Sequence, residues 1–192
     1  MSFAEAYAYT LGKEGGYSHD PDDLGGETYK GISRKFHPHW IGWPLIDSMD
    51  HVDSDPTLDK MASEFYRVQF WDKLLGSLVA EISDPVAGEL FDTAVNMSPR
   101  RAVGFLQESL NALNRNGKLY PDLVEDGKIG RITLAALRAL PRKDHATLLK
   151  MMNVLQGAYY MDRFKASPIQ EKFARGWFSR VEITRQGQGE PR

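Results

Sequence analysis

The sequence contains no cysteine. That excludes disulfides, thiolate metal sites and a cysteine nucleophile together. No run approaches the roughly 18 consecutive apolar residues of a membrane-spanning helix, so membrane insertion is not expected. The N-terminus, MSFAEAYAYTLGKEGG, lacks a basic segment followed by an apolar stretch of signal-peptide length, and synthesis in the cytoplasm is expected. A strong charge of either sign is also missing. Lys and Arg number 24, Asp and Glu 26, for a net charge of −2. Nucleic acid is therefore not expected as a partner. Histidine is sparse. His37 and His39 sit in a Pro-rich loop, and no helical H-x-x-x-H exists, so no metal site is expected. Ser77, Ser98 and Ser109 have no nucleophile-elbow context.

What is present is an ordinary balance for a globular chain of 192 residues: 42% hydrophobic and 26% charged. Most of it reads as helix. Ser2 and Glu5 form a capping-box pattern. Phe3, Tyr7 and Leu11 recur at helical spacing, and Gly15-Gly16 predicts the stop. ETYKGIS, residues 27–33, reads as a short hairpin, because Thr, Tyr and Ile favour strands. Residues 37–56 carry three prolines and read as irregular. Further helices are expected from Asp55-Pro56, Asp84-Pro85 and Ser98-Pro99, with Pro in the first turn of each. Their apolar stripes are Leu58, Met61, Phe65 and Val68, then Val86, Leu90 and Ala94, then Ala102, Leu106 and Leu110. Residues 114–128 form a polar connection. A helix over about 131–140 follows. Another is capped by Asp144, with Leu148, Met152, Leu155 and Tyr159 inward. A last one carries Ile169, Phe173 and Trp177. The expected class is all-α with at most a small β-hairpin.

One stretch invites a chemical reading: KEGGYSHDPDDLGGETYKGIS, Lys13 to Ser33. It holds five carboxylates, Glu14, Asp20, Asp22, Asp23 and Glu27, and five glycines. Glu14 lies three residues past Leu11, on the apolar face of the first helix and at its C-terminal end. Desolvation and the helix dipole would both raise its pKa. A carboxyl still protonated near neutral pH is what a general acid must be. The glycine pairs 15–16 and 25–26 would let Asp22 or Asp23 fold back opposite it. Two facing carboxylates can cleave a glycosidic bond. From composition alone, a solvated loop is the commoner reading of such a stretch. A calcium loop lacks the required frame of acids.

The run Glu14-Gly15-Gly16-Tyr17, Asp20-Pro21, Asp23, Gly25-Gly26, Thr28 and Gly31-Ile32-Ser33 is similar to the N-terminal signature of glycoside hydrolase family 108. These are the N-acetylmuramidases of phage endolysins and related secretion-associated muramidases. Tyr66 with Phe70-Trp71, LFDTAVNMSPRRAVGFLQESLN, DGKIGRITLAAL and ARGWFSRV resemble later motifs of the same family, so the resemblance spans roughly residues 3–183. Leu24 and Met97-Ser98 depart from the pattern. The resemblance implies a lysozyme-like helical fold and cleavage of the glycan strand of peptidoglycan, with Glu14 as the catalytic acid. By similar offsets in phage-type lysozymes, Asp23 is the partner carboxylate and Thr28 assists, with Asp20 and Asp22 as close competitors to Asp23. Substrate contacts are expected from Tyr17, Asp20, Tyr66, Trp71, Asp92 and Asn96, although aromatics at helical spacing are more often core.

The expected organisation is a lysozyme-like region over 1–97, a helical peptidoglycan-binding-like region over 98–185, and a disordered tail over 186–192. No metal or organic cofactor is called for. The expected partner is the peptidoglycan strand, met by a monomer after holin- or secretion-type release to the cell wall or periplasm. The alternative of another class is a non-catalytic peptidoglycan-binding or secretion-accessory protein.

Overall fold

The computed structural model describes residues 1–12, 16–19, 26–52 and 55–182. Among these, nine α-helices and a three-stranded sheet make up most of the regular structure, which is mainly all-α as expected. Among the described residues, no helix is long and apolar enough to cross a membrane.

Helix α1, Phe3–Leu11, begins with the capping box: Ser2 accepts from Glu5 N, and Glu5 accepts from Ser2 N. It closes at Gly12, earlier than the Gly15-Gly16 stop. Ala6, Thr10 and Leu11 are buried. The sheet comprises β1 (Tyr17–Ser18), β2 (Thr28–Tyr29) and β3 (Ile32–Ser33), antiparallel in that order. The β2–β3 hairpin was legible in the sequence from its turn; β1 was not, since it pairs with β2 from ten residues away and has no tight turn to announce it. Lys30 and Gly31 both take positive φ, 45° and 78°, the geometry of a two-residue primed turn. Tyr66 locks this turn by donating to Lys30 O at 2.8 Å. A Cβ on Gly31 would meet the Tyr66 hydroxyl at 2.9 Å.

Within residues 37–56, expected to be irregular, lies a short helix, α2 (Trp43–Asp47). Helix α3, Pro56–Tyr66, is capped by Asp55, whose carboxylate accepts from Thr57 N and Leu58 N. It runs straight into a π-helical turn, Arg67–Trp71. The inward row proceeds Leu58, Ala62, Tyr66 in steps of four, then jumps five residues to Trp71. Val68, two residues past the inward Tyr66, faces outward and is exposed, against the expected stripe. The Trp71 indole is clasped by α4 (Gly76–Ala80): its Nε1 donates to Ser77 Oγ at 3.1 Å, and only a glycine at 76 lets the backbone lie so close to the ring.

Helix α5, Asp84–Asn96, is the centre. Val86, Leu90 and Ala94 are buried as expected, and so are Phe91, Asp92 and Thr93. It packs on α1, α4, the π turn and two later helices, α6 (Pro99–Leu113) and α8 (His145–Ala166). Ser98 caps α6 by accepting from Arg101 N. Residues 114–128 form the polar connection, leading to α7 (Arg131–Ala139). Asp144 precedes α8 without a capping hydrogen bond; its carboxylate pairs with Arg115 at 3.2 Å. On α8 the inward face is Leu148, Met152, Asn153, Gln156, Gly157 and Tyr160. Leu155 and Tyr159 are only partly buried. The expected last helix is a 3-10 segment, Pro168–Phe173, followed by α9, Ala174–Phe178. The tail 186–192 lies outside the described residues.

The hairpin gives the first test. Gly31→Ala forces a side chain into positive φ against the Tyr66 hydroxyl, and should cost about 1–3 kcal/mol of unfolding free energy. Urea denaturation at neutral pH measures it. A variant as stable as the parent would mean that the turn relaxes freely.

Candidate functional site

Antiparallel pairing sets which residues share a face of the small sheet. Thr28 is opposite Ser18 on β1 and Ser33 on β3, while Tyr29 is opposite Tyr17 and Ile32. One face therefore carries three hydroxyls with Thr28 in the middle. The other turns Tyr29 and Ile32 into the core, where Tyr29 stacks on Trp40 at 5.8 Å and its hydroxyl donates to Asp59 at 2.7 Å. Lys30 completes that corner with an ion pair to Asp59 at 2.7 Å.

Beside Thr28, Glu27 is held from two directions. Arg34 Nη1 donates to it at 2.7 Å and the Tyr17 hydroxyl at 3.1 Å. Arg34 also donates to Asp47 at 2.6 Å and lies 4.9 Å over the Trp43 ring. One guanidinium thus ties the sheet to α2. Of the five carboxylates in the opening stretch, Glu27 is the one within the described residues, and it is committed to this scaffold. Glu14, Asp20, Asp22 and Asp23 lie outside the described residues.

The remaining assigned residues separate by burial. Thr28 and Tyr17 are half-buried at the sheet. Asn96 is exposed at the end of α5 and donates to Asp92 O at 2.8 Å. Tyr66, Trp71 and Asp92 are 4%, 2% and 4% exposed and present no surface to a glycan. Their expected role as sugar contacts is corrected to support: Tyr66 under the hairpin turn, Trp71 among Phe3 and Phe91, and Asp92 in a buried polar network.

That network escaped the sequence reading. Asp92 accepts from Arg180 at 2.9 Å, and Gln156 Nε2 lies 3.5 Å from it. One helical turn earlier, Glu89 accepts from Thr93 Oγ1 at 3.0 Å and Asn153 Nδ2 at 2.9 Å. Asn153 Oδ1 accepts from Glu182 N, and the Tyr9 hydroxyl donates to Glu182 at 2.7 Å. The network joins α1, α5, α8 and the segment after α9. Burial pushes the Glu89 carboxyl up to about 7, against the hydrogen bonds from Thr93 and Asn153. Burial also raises Asp92, while Arg180 opposes the shift. The hydrogen bond to Glu182 pushes the Tyr9 hydroxyl up to about 12. In the sequence Asn153 and Gln156 fall beside the apolar positions of α8 and read as surface; the structure turns them toward Glu89 and Asp92 on α5.

No group of three or more potential metal ligands occurs among the described residues. A hollow of about 580 Å³ lies away from the sheet, between the C-terminal end of α6 and the 114–128 connection. Glu108, Asn111, Asn114, Asp122 and Glu125 line it. Its amides are already occupied: Asn114 donates to Asp122, and Asn111 to Leu123 O and Glu125. It is an acidic surface dent remote from the hydroxyl face.

Comparison with known proteins bears on these two parts of the chain separately. Residues 7–98 match the family model described as glycosyl hydrolase 108. Residues 101–182 match the model described as a predicted peptidoglycan domain. The solved structure of Brucella abortus SagA is similar, with 26% sequence identity and a TM-score of 0.64. The similarity covers 93% of this chain and 88% of that one. No curated protein sequence matches.

The raised Glu89 carboxyl predicts a pH dependence. The folded state holds this proton up to about pH 7, whereas the unfolded chain releases it near the ordinary carboxylate value. Between these two values the folded state binds more protons, so stability falls as pH rises. The contribution is on the order of 2–3 kcal/mol between pH 4.5 and 8. Urea denaturation across that range should show a flatter slope for Glu89→Gln than for the parent. Identical slopes would rule out Glu89 as the source.

Proposed function

We propose that this chain, a glycosyl hydrolase 108 protein with a predicted peptidoglycan domain, hydrolyses the glycan strand of bacterial peptidoglycan as an N-acetylmuramidase. The observation that carries the reading is the coincidence of three things over residues 14–33. The run from Glu14 to Ser33 falls inside the hydrolase match. Its Thr28 sits at the middle of a hydroxyl-bearing sheet face. Its Glu27 is withdrawn into a structural ion pair, leaving the other four acids for chemistry.

In this mechanism Glu14 protonates the glycosidic oxygen as the bond breaks. Asp23, kept ionised, activates water or supports the developing oxocarbenium ion. The Thr28 hydroxyl holds the water. No cofactor enters the step. The protein acts on the wall after release from the cytoplasm. Tyr17, Asp20 and Asn96 are proposed to contact the sugar chain.

Purified cell walls provide the test. Glu14→Gln should lower the rate of turbidity loss by about 10²–10⁴-fold, the usual contribution of a general acid. Asp23→Asn should lower it more than Asp20→Asn or Asp22→Asn. Thr28→Val should have a smaller effect. Mass spectrometry should find reducing muramic acid ends in the released fragments. A Glu14→Gln protein clearing walls at the parent rate would sink the assignment. A parent that binds walls and releases no fragments would leave a peptidoglycan-binding protein with the same fold.

A further inference from the structure

Residues 178–182 are tied to three helices by contacts that the proposed chemistry does not use. Arg180 donates to Asp92 of α5 at 2.9 Å. The Glu182 amide donates to Asn153 Oδ1 of α8 at 2.6 Å, and the Tyr9 hydroxyl of α1 donates to the Glu182 carboxylate at 2.7 Å. Phe178 and Val181 pack over Gly157 of α8. The Arg180 and Val181 amides donate back to Trp177 O and Phe178 O.

Asn153 is the pivot. Its Oδ1 accepts from the Glu182 amide, and its Nδ2 donates to Glu89 at 2.9 Å. One side chain therefore carries both the segment and a buried carboxyl. The titratable and charged groups that face Glu89 are Asp92 on its own helix, Tyr9 on α1, Tyr160 on α8 and Glu182 on the segment, with Arg180 one contact further through Asp92. Ionising Glu89 places its charge beside the carboxylates of Asp92 and Glu182, where little water can screen them.

Opening the segment relieves this. It frees Asn153, brings water to Glu89 and takes Glu182 away from the other two acids. It also gives up the Arg180–Asp92 contact, so the closed state remains the resting one, and pH changes how often it opens. Helix α5 offers no such release, because it is packed along Val86 to Ala94 and moves only with the core.

We propose that residues 180–182 form a pH-sensitive latch on α1 and α8, closed while Glu89 holds its proton and loosened once Glu89 ionises. The latch depends neither on Glu14 nor on the identity of the partner. Linkage sets the sign. With the segment closed, burial keeps the Glu89 proton in place up to about pH 7; with it open, release moves toward the ordinary value of 4.5. Between these values the closed state binds more protons, so opening becomes more frequent as pH rises and levels off above about pH 7. Complete rehydration of Glu89 would give about tenfold per pH unit.

Amide hydrogen exchange of the full chain, read residue by residue by NMR across this range, tests the latch. Protection factors are compared, so base catalysis of exchange cancels. Protection at Arg180, Val181 and Glu182 should fall about three- to tenfold per pH unit up to neutrality and then level off. It should be lower than in α5 and insensitive to low urea, the mark of a local opening, whereas the α5 amides respond to urea as global unfolding does. Glu89→Gln should flatten the pH profile at 180–182. Tyr9→Phe removes one contact of the latch and no acid, and Tyr9 is exposed; it should lower protection there at each pH and leave the slope. A parent whose protection at 180–182 is constant with pH overturns the proposal. So does a Glu89→Gln protein with the parent's slope. So do 180–182 amides with the protection and urea response of α5, since the segment would then open only when the whole chain unfolds.

Discussion

Helix α5 is enclosed by other elements from Val86 to Ala94, and much of the molecule follows from that. A helix on a domain surface can turn its acids to water. Packed against α1, α4, α6, α8 and the π turn, α5 has no such side over that span, and Glu89 and Asp92 turn inward beside Leu90 and Phe91. A buried carboxylate without partners would be several kcal/mol unfavourable. The fold answers by bringing polar groups to it: Thr93 from the same helix, Asn153 and Gln156 from α8, and Arg180 from the end of the chain. Those partners in turn determine which face α8 presents and where the segment after α9 must come to rest.

The sheet shows the opposite solution. Six residues in three strands cannot hold themselves together, because so short a sheet buries too little. Its stability is borrowed from side chains that reach in from the helices. Tyr66 pins the turn from α3, Asp59 takes both Tyr29 and Lys30, and Arg34 spans from Glu27 to Asp47 on α2. The result is a rigid support on each flank of the hydroxyl face. The role proposed for Thr28 needs that rigidity, since a displacement of about 1 Å is enough to degrade a reacting geometry.

Much of this was legible in the sequence where a local rule decides the outcome. The capping box at Ser2, the Asp55 and Ser98 caps, the YKG turn and the apolar rows of α5 and α6 each depend on a few neighbouring residues. The misses share a different cause. The buried row of α3 is Leu58, Ala62 and Tyr66, so the expected stripe through Met61 and Phe65 was one residue out of phase and placed Val68 inside when it is outside. Helix α2 is one turn long, too short to show a period. Tyr66, Trp71 and Asp92 were recognisable by family motif as important positions. Motif alone does not distinguish a residue that touches substrate from one that holds the site's floor, and burial does. The network on α8 was hidden because Asn153 and Gln156 break an apolar stripe, and a polar residue in a stripe reads as surface until its partner is known.

The Asp92–Arg180 pair also links the two parts of the chain that comparison distinguishes. Asp92 belongs to the stretch that matches the hydrolase family and Arg180 to the stretch that matches the peptidoglycan domain. Asn153 and Glu182 extend the same junction to Tyr9 on α1. Between Trp177, stacked among Tyr160, Phe164 and Phe173, and Arg180 there are only two residues. The chain after α8 is thus held by buried polar contacts, which are directional, together with the apolar packing of Phe178 and Val181. Burying Glu89 and Asp92 thereby fixes the end of the described chain against α1, the helix that leads into the acidic stretch.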